Sequence, residues 1–192
     1  MTQKKKRIRL DKNAVVQAAA ELVNAEGMQV LTLSRLAEEL DIQTPSLYNH
    51  VEGLPGLQKE LTILNARNLA DCLSEASIGK SGEELFMAVA QAFRNYVKSN
   101  VSLYMSTLRS SGMQTLQDLD LVREEERTLK IGMTLMSSLG LQNEEAIHGL
   151  RAFRSVVHGF ATLEAAGGFG LPQDCDESFR RLVTALVAGL KK

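Results

Sequence analysis

Tryptophan is absent from this chain, cysteine occurs twice, proline three times, and aromatic residues make up only 5% of the 192 positions. Each shortage excludes something. Cys72 and Cys175 are too few and too far apart for a disulfide framework or a thiolate metal site, so a reducing cytoplasm is the expected setting. No apolar run approaches the roughly 18 residues of a membrane span, and no membrane partner is expected. The opening MTQKKKRIRL carries bases without the apolar stretch and small-residue cleavage site of an export signal. Alternating apolar and polar stretches are missing as well, which leaves no candidate strand.

Catalytic and metal signatures are equally thin. His50, His148 and His158 show no metal-ligand spacing, and the last two would stand nearly three helical turns apart. The GKS run from Gly79 to Ser81 has Ser74 where a phosphate loop needs its first glycine, and no strand precedes it. Neither a nucleophile elbow nor a distinctive carboxylate pair is present. The expectation is no catalytic residue, no metal and no cofactor, with a small helical enzyme as the remote alternative.

What the chain does contain is unevenly placed charge and helical periodicity. Lys4, Lys5, Lys6, Arg7, Arg9 and Lys12 stand against Asp11 alone, a balance of +5 within the first twelve residues that leaves −6 on the rest. A basic arm on an acidic body suits an end that meets a polyanion, and equally a solvated tail. Behind Asp11, a good N-cap, Val15, Ala18, Ala19, Leu22 and Val23 recur at helical spacing and stop at Gly27. Thr32 can cap a second helix with Leu36, Ala37 and Leu40 inward, ending near Asp41. Thr44 can cap a third, with Pro45 at its first position and Leu47 and Val51 inward. Longer helices are expected near 56–77, 83–99, 102–110, 114–139, 143–166 and 175–190. The fold class is all-α: a three-helix N-terminal unit packed on a larger helical one.

Two short helices joined by a tight turn and braced by a longer one describe a helix-turn-helix, whose later helix presents its N-terminal side chains to base edges. The stretch TPSLYNH fits that role. Thr44, Ser46 and Asn49 are short polar groups able to bond bases or phosphates, and Tyr48 and His50 can reach the backbone on either side. The same residues also fit a capping Thr44 with Tyr48 and His50 on the unit's own core.

The run LTLSRLAEELDIQTPSLYNHVEGLPGL resembles the DNA-binding signature of the TetR family of bacterial transcriptional regulators. Near the other end, LRAFRSVVHGFATLEAAGGFGLP followed by DESFRRLVTALVAGL is similar to a C-terminal regulatory domain of one branch of that family. The resemblance implies a ligand-responsive regulator, most often a repressor, with a DNA-binding domain over 1–53 and an effector-binding and dimerisation domain over 54–192. It implies a homodimer on double-stranded palindromic DNA. Thr44, Pro45, Ser46, Tyr48, Asn49 and His50 would occupy the recognition helix, with Thr32 and Ser34 at the phosphate-facing start of the helix before it. Two positions depart from the pattern: Asp41 stands where the turn usually has glycine, and Leu54 where a phosphate-contacting lysine is common. The basic arm, Lys4 to Arg7 and Arg9, is expected to supply some of that missing attraction.

In the last helix Phe179, Leu182, Val183, Leu186, Val187 and Leu190 form a continuous apolar stripe. Phe153, Val157 and Phe160 lie on the wide apolar face of the helix before it. Packing within one chain would account for both, and the resemblance implies instead that these helices meet their copies as a four-helix bundle. An effector pocket for an unknown small molecule is expected among the middle helices. Met87, Phe93, Tyr104, Met105, Leu108, Met133 and Met136 are apolar and adaptable candidates for its wall, although core packing explains them too. Arg154 and His158, four apart, could orient an anionic or polar ligand or satisfy a buried hydrogen bond. A DNA-binding regulator without any effector is the alternative reading.

Overall fold

The protein's structure, a computed structural model, describes residues 10–108 and 118–191. Lys4, Lys5, Lys6, Arg7 and Arg9 lie outside the described residues, so the expected role of the arm is not addressed by it. Among the described residues there are nine α-helices and no strand: α1 Lys12–Glu26, α2 Leu33–Glu39, α3 Thr44–Leu47, α4 Gly53–Ser77, α5 Gly82–Ser99, α6 Val101–Leu108, α7 Leu119–Ser138, α8 Asn143–Ala165 and α9 Cys175–Leu190. None of them is long and apolar enough to cross a membrane.

Local chemistry sets the boundaries. The Asp11 carboxylate accepts from the Ala14 N–H at 2.8 Å, and the Thr32 hydroxyl from the Arg35 N–H at 3.0 Å, so α1 and α2 begin on side-chain caps. Helix α1 stops at Gly27, whose φ of 92° suits glycine and whose N–H closes onto the Val23 carbonyl. Asp41 adopts φ 55°, the left-handed conformation that the turn demands, with a residue that tolerates it less well than glycine.

Helix α3 differs from expectation by one residue. Gln43 takes the N-cap position and its carbonyl accepts the Ser46 N–H at 2.9 Å, so Thr44 is the first helical residue and Pro45 the second. Thr44 caps nothing. A four-residue helix cannot sustain itself by its own hydrogen bonds. It is anchored by Leu47, fully buried, and Val51, 6% exposed. At the other end of the chain, Asp174 caps α9 through the Asp176 N–H at 2.7 Å. Glu177 does not complete a capping box; it is taken up by Arg180 and Arg181.

Two cores result. The first gathers α1, α2, α3 and the start of α4 around Val15, Leu36, Leu47, Leu57 and Leu61, and takes Leu103 from α6. The second joins the far half of α4 to α5, α7, α8 and α9 around Phe86, Phe93, Phe153 and Phe179. Helices α7 and α8 approach closely through glycines: a Cβ on Gly132 would lie 2.5 Å from Leu150 Cδ1, and one on Gly149 2.8 Å from Met136 Sδ.

Candidate nucleic-acid interface and internal cavity

The three-helix head offers α3 outward. Behind it sits Leu47; in front, Tyr48 is 63% exposed, Pro45 and Asn49 are exposed, and Thr44, Ser46 and His50 are half-buried. Tyr48 is therefore not part of the head's core. Among the described residues the side chains of Thr44, Ser46, Tyr48, Asn49 and His50 make no hydrogen bond within the chain. Ser34 is exposed at the start of α2, while Thr32 already accepts the capping bond.

Charge in the head is peculiar. Residues 10–60 hold three cations, Lys12, Arg35 and Lys59, against eight carboxylates (Asp11, Glu21, Glu26, Glu38, Glu39, Asp41, Glu52 and Glu60), a balance of −5. All three cations are paired: Lys12 with Glu60 at 2.5 Å, Arg35 with Glu26 and Glu39 at 2.5 and 3.2 Å, Lys59 with Asp118 at 2.5 Å. Leu54, the position where a lysine was looked for, is half-buried against the first core. The five bases of the arm bring residues 1–60 back to neutrality.

The larger unit holds a partly open cavity of about 570 Å³ between α4, α5, α6, α7 and α8. Phe93, Tyr104, Leu108 and Arg154 line it as expected from sequence. The other candidates do not. Met136 is fully buried in the second core, Met87 packs on that core, Met105 is 37% exposed on the outer side of α6, and Met133 lies by a shallow surface depression. Helical geometry explains Met105: Tyr104 and Leu108 share the inner face, which turns the residue after Tyr104 outward. His158 does not line the cavity but touches its wall, since its Nδ1 lies 3.0 Å from the Tyr104 hydroxyl.

Sequence reasoning missed the wall that α4 contributes, Thr62, Asn65, Ala66, Leu69 and Leu73, together with Leu121 and Leu129 of α7. Those α4 positions recur at helical spacing, so the signal was present. Asn65 is engaged on every side: it donates to Thr107 Oγ1 at 2.8 Å and accepts from the Tyr96 hydroxyl at 2.7 Å. Burial pushes the Tyr104 phenol up to about 12. Burial, helped by the nearby Arg154 charge, holds the His158 imidazole below its ordinary value. Both groups are thus neutral near pH 7.

Helices α4 and α6 each belong to both regions. Leu57 and Leu61 of α4 sit in the head's core while Thr62 and Asn65 line the cavity. In α6, Leu103 enters the head's core and its N–H donates to Asn24 Oδ1 at 3.1 Å, whereas Tyr104 and Thr107 face the cavity. A second bond ties Asn24 to Asn100 at 2.9 Å.

The expected dimer-forming stripe needs correction. Phe153, Val157, Phe179, Val183 and Val187 are 0–5% exposed within the single chain, because α8 and α9 turn their most apolar faces onto α5. Leu186, Leu190 and Phe160 are half-buried against the same core. Of the residues named, Leu182 alone is exposed, at 37%; Leu163 of α8, outside that set, is exposed at 54%.

Sequence also gave no sign of Arg94, 1% exposed on α5. Its Nε and Nη2 hold the Glu164 carboxylate at 2.6 Å each, and its guanidinium lies 5.4 and 4.9 Å from the Phe160 and Phe179 ring centres. Asp176 approaches Nη1 at 2.8 Å, off the N–H direction, so that contact is an ion pair without a hydrogen bond.

Comparison with known proteins agrees with this architecture. A family model described as "Tetracyclin repressor-like, C-terminal domain" matches residues 86–186. The uncharacterized HTH-type transcriptional regulator YobS of Bacillus subtilis is 28% identical over 185 residues, covering 96% of this chain and 94% of that protein. Among solved structures, a protein of unknown function from Rhodococcus sp. RHA1 aligns with a TM-score of 0.81 at 17% identity, over 100% of both chains. A TetR variant from Acinetobacter baumannii AYE, in complex with minocycline, aligns with a TM-score of 0.68 at 24% identity, over 95% of this chain and 97% of that one. At such identities the structural likeness speaks for the fold.

Proposed function

From the premise that this chain belongs to the TetR family of transcriptional regulators, we propose that it is a repressor acting as a homodimer, which binds a palindromic operator and releases it when a small molecule fills the cavity. The observation that carries the reading is the sharing of α4 and α6 between the head and the cavity wall. A ligand that shifts either helix changes the spacing of two heads on one duplex. Cytoplasmic location and a division of labour near residue 53 belong to the same reading, and no catalytic step is part of it.

Thr44, Pro45, Ser46, Tyr48, Asn49 and His50 supply base and phosphate contacts, with Ser34 and the capped Thr32 against the backbone. The arm supplies the net attraction, because every cation between residues 10 and 60 is already paired with a carboxylate. Two copies meet through the outer surface of α8 and α9, where Leu163 and Leu182 are exposed.

The test is fluorescence anisotropy on DNA flanking the protein's own coding region, measured against salt and against added compounds. Deleting residues 1–9 should flatten the logarithmic salt dependence by up to about 4.5 units per head, since five bases are removed at roughly 0.9 per phosphate neutralised. An unchanged slope would remove the arm from the mechanism.

A further inference from the structure

The side chains that line the cavity fall into two sets. Those buried in the chain, among them Leu69, Val89, Phe93, Tyr104, Leu121 and Phe153, come from all five surrounding helices, and no charged residue stands among them in the described part of the chain. The charged ones are all exposed: Glu125 and Glu126 on α7, with exposed Leu129 one turn beyond Glu125, and Arg151 and Arg154 on α8. Every exposed lining residue thus belongs to α7 or α8, which places the opening between those two helices and the charge at its edge. Two carboxylates there stand against two guanidiniums, and none of the four has an ion-pair partner among the described residues.

Inside, the uncharged polar groups are turned to the chain. Thr62 donates to the Gln58 carbonyl at 3.0 Å, and Thr107 to the Leu103 and Tyr104 carbonyls at 3.0 Å each. Asn65 is held by Thr107 and Tyr96, and the Tyr104 hydroxyl lies 3.0 Å from His158 Nδ1. A molecule filling the interior therefore meets apolar surface and no counter-charge. An ionised group carried inside loses its water with nothing of opposite sign to replace it, a cost well above what one neutral hydrogen bond returns. A charge left at the opening stays in water, where attraction to one edge is screened and is offset by the other. Neither place rewards a charge of either sign.

We infer that the cavity takes an uncharged, predominantly apolar molecule that enters between α7 and α8, while the four charged residues at the opening stay hydrated and select for neither sign. This rests on the reading of the cavity as the effector site and adds the ligand's chemistry to it.

The experiment is titration calorimetry on the full chain with three probes that share one naphthylmethyl body and end in hydroxyl, carboxylate or ammonium. The alcohol should bind at least about tenfold tighter than either ion, because only the ions carry an unpaired charge out of water. It should also raise the thermal midpoint more than the ions do at equal concentration. Replacing the four edge charges together, Glu125→Gln, Glu126→Gln, Arg151→Gln and Arg154→Gln, should leave the alcohol's affinity within about twofold, since all four are exposed. Ala66→Phe, which puts a ring into the space from α4, should weaken the alcohol at least about tenfold with a cooperative thermal transition retained. Leu108→Trp, from α6, is the second obstruction should that variant not fold. Either ion binding as tightly as the alcohol, loss of alcohol binding with the edge charges, unchanged alcohol affinity in a folded obstructed variant, or no alcohol binding at all would overturn the inference. The broader reading fails differently: the alcohol binds but leaves the complex with flanking DNA intact, or that DNA is never bound. Release of the DNA by one of the ions, with the alcohol inert, would keep the broader reading and sink this one.

Discussion

The outward surface at α3 and the wall of the cavity both carry uncharged polar side chains, yet these stand in opposite states. On α3 and the turn that follows it, the side chains of Thr44, Ser46, Tyr48, Asn49 and His50 have no hydrogen bond within the chain. In the cavity, Asn65, Thr62, Thr107 and Thr128 are all bonded to the protein. A group in contact with water has no need of an internal partner, and it can exchange water for a base or phosphate at little cost. A buried group left alone costs about 1–3 kcal/mol, so the cavity must satisfy itself before any ligand arrives. If the head reads DNA and the cavity takes a ligand, as proposed, the head has free side chains for selectivity, whereas the cavity has its shape and a few exposed charges.

Substitutions sharpen that contrast. The largest effect is expected at Glu164, which neutralises the buried Arg94. Glu164→Gln should cost about 2 kcal/mol in urea unfolding, because it removes the two charge-assisted hydrogen bonds of a buried guanidinium and leaves it only the exposed Asp176 as an ionic partner. The Arg94 hydrogen bonds, helped by Lys98, hold the Glu164 carboxyl below its ordinary 4.5. The stabilisation is thus complete above pH 4.5 and is lost as pH falls through the lower folded-state value. The variant should show a flatter decline of stability in that acid window, and an identical acid profile in both proteins would contradict the pairing.

Asn65→Ala comes next. Removing it takes away the shorter of two bonds from the Tyr96 hydroxyl and the donor to Thr107, while the carbonyl of residue 65 still accepts from Tyr96, so a loss of about 1 kcal/mol in thermal or denaturant unfolding is expected. Tyr48→Ala is the mirror experiment: stability should stay within about 0.5 kcal/mol, since the ring touches little. Its binding to flanking DNA should fall about tenfold or more with the dimer intact by light scattering. Should Tyr48→Ala destabilise as much as Asn65→Ala, the two regions would not differ in the way described. The smallest effect belongs to Asp41→Gly, which relieves a left-handed φ of 55° and should raise stability by about 0.5 kcal/mol, measurable as a small rise in thermal midpoint.

Periodicity and caps made the helices legible, since Asp11, Thr32, Gly27 and Asp174 mark ends through bonds to residues two to four positions away. Placement in three dimensions was legible only in part. The stripe on α9 announces burial, and α5 rather than a second chain covers Phe179, Val183 and Val187. Methionines were the obvious cavity candidates by chemistry, but Met136 fills the core and Met105 faces out, because the orientation of a helix depends on its neighbours. Arg94 was invisible for a related reason: its partner Glu164 stands 70 residues away, and nothing near Arg94 in the chain distinguishes it from a surface arginine.

Leu103 and Tyr104 are consecutive, with one planar peptide unit between them. The first is seated among the head's side chains, and the second hydrogen-bonds His158 at the edge of the cavity. If a guest fills the cavity as proposed, any push on Tyr104 that its side-chain torsions do not absorb would pass through that plane to Leu103. On that proposal the coupling needs neither a long relay of intermediates nor local melting, only a tilt of two turns of helix.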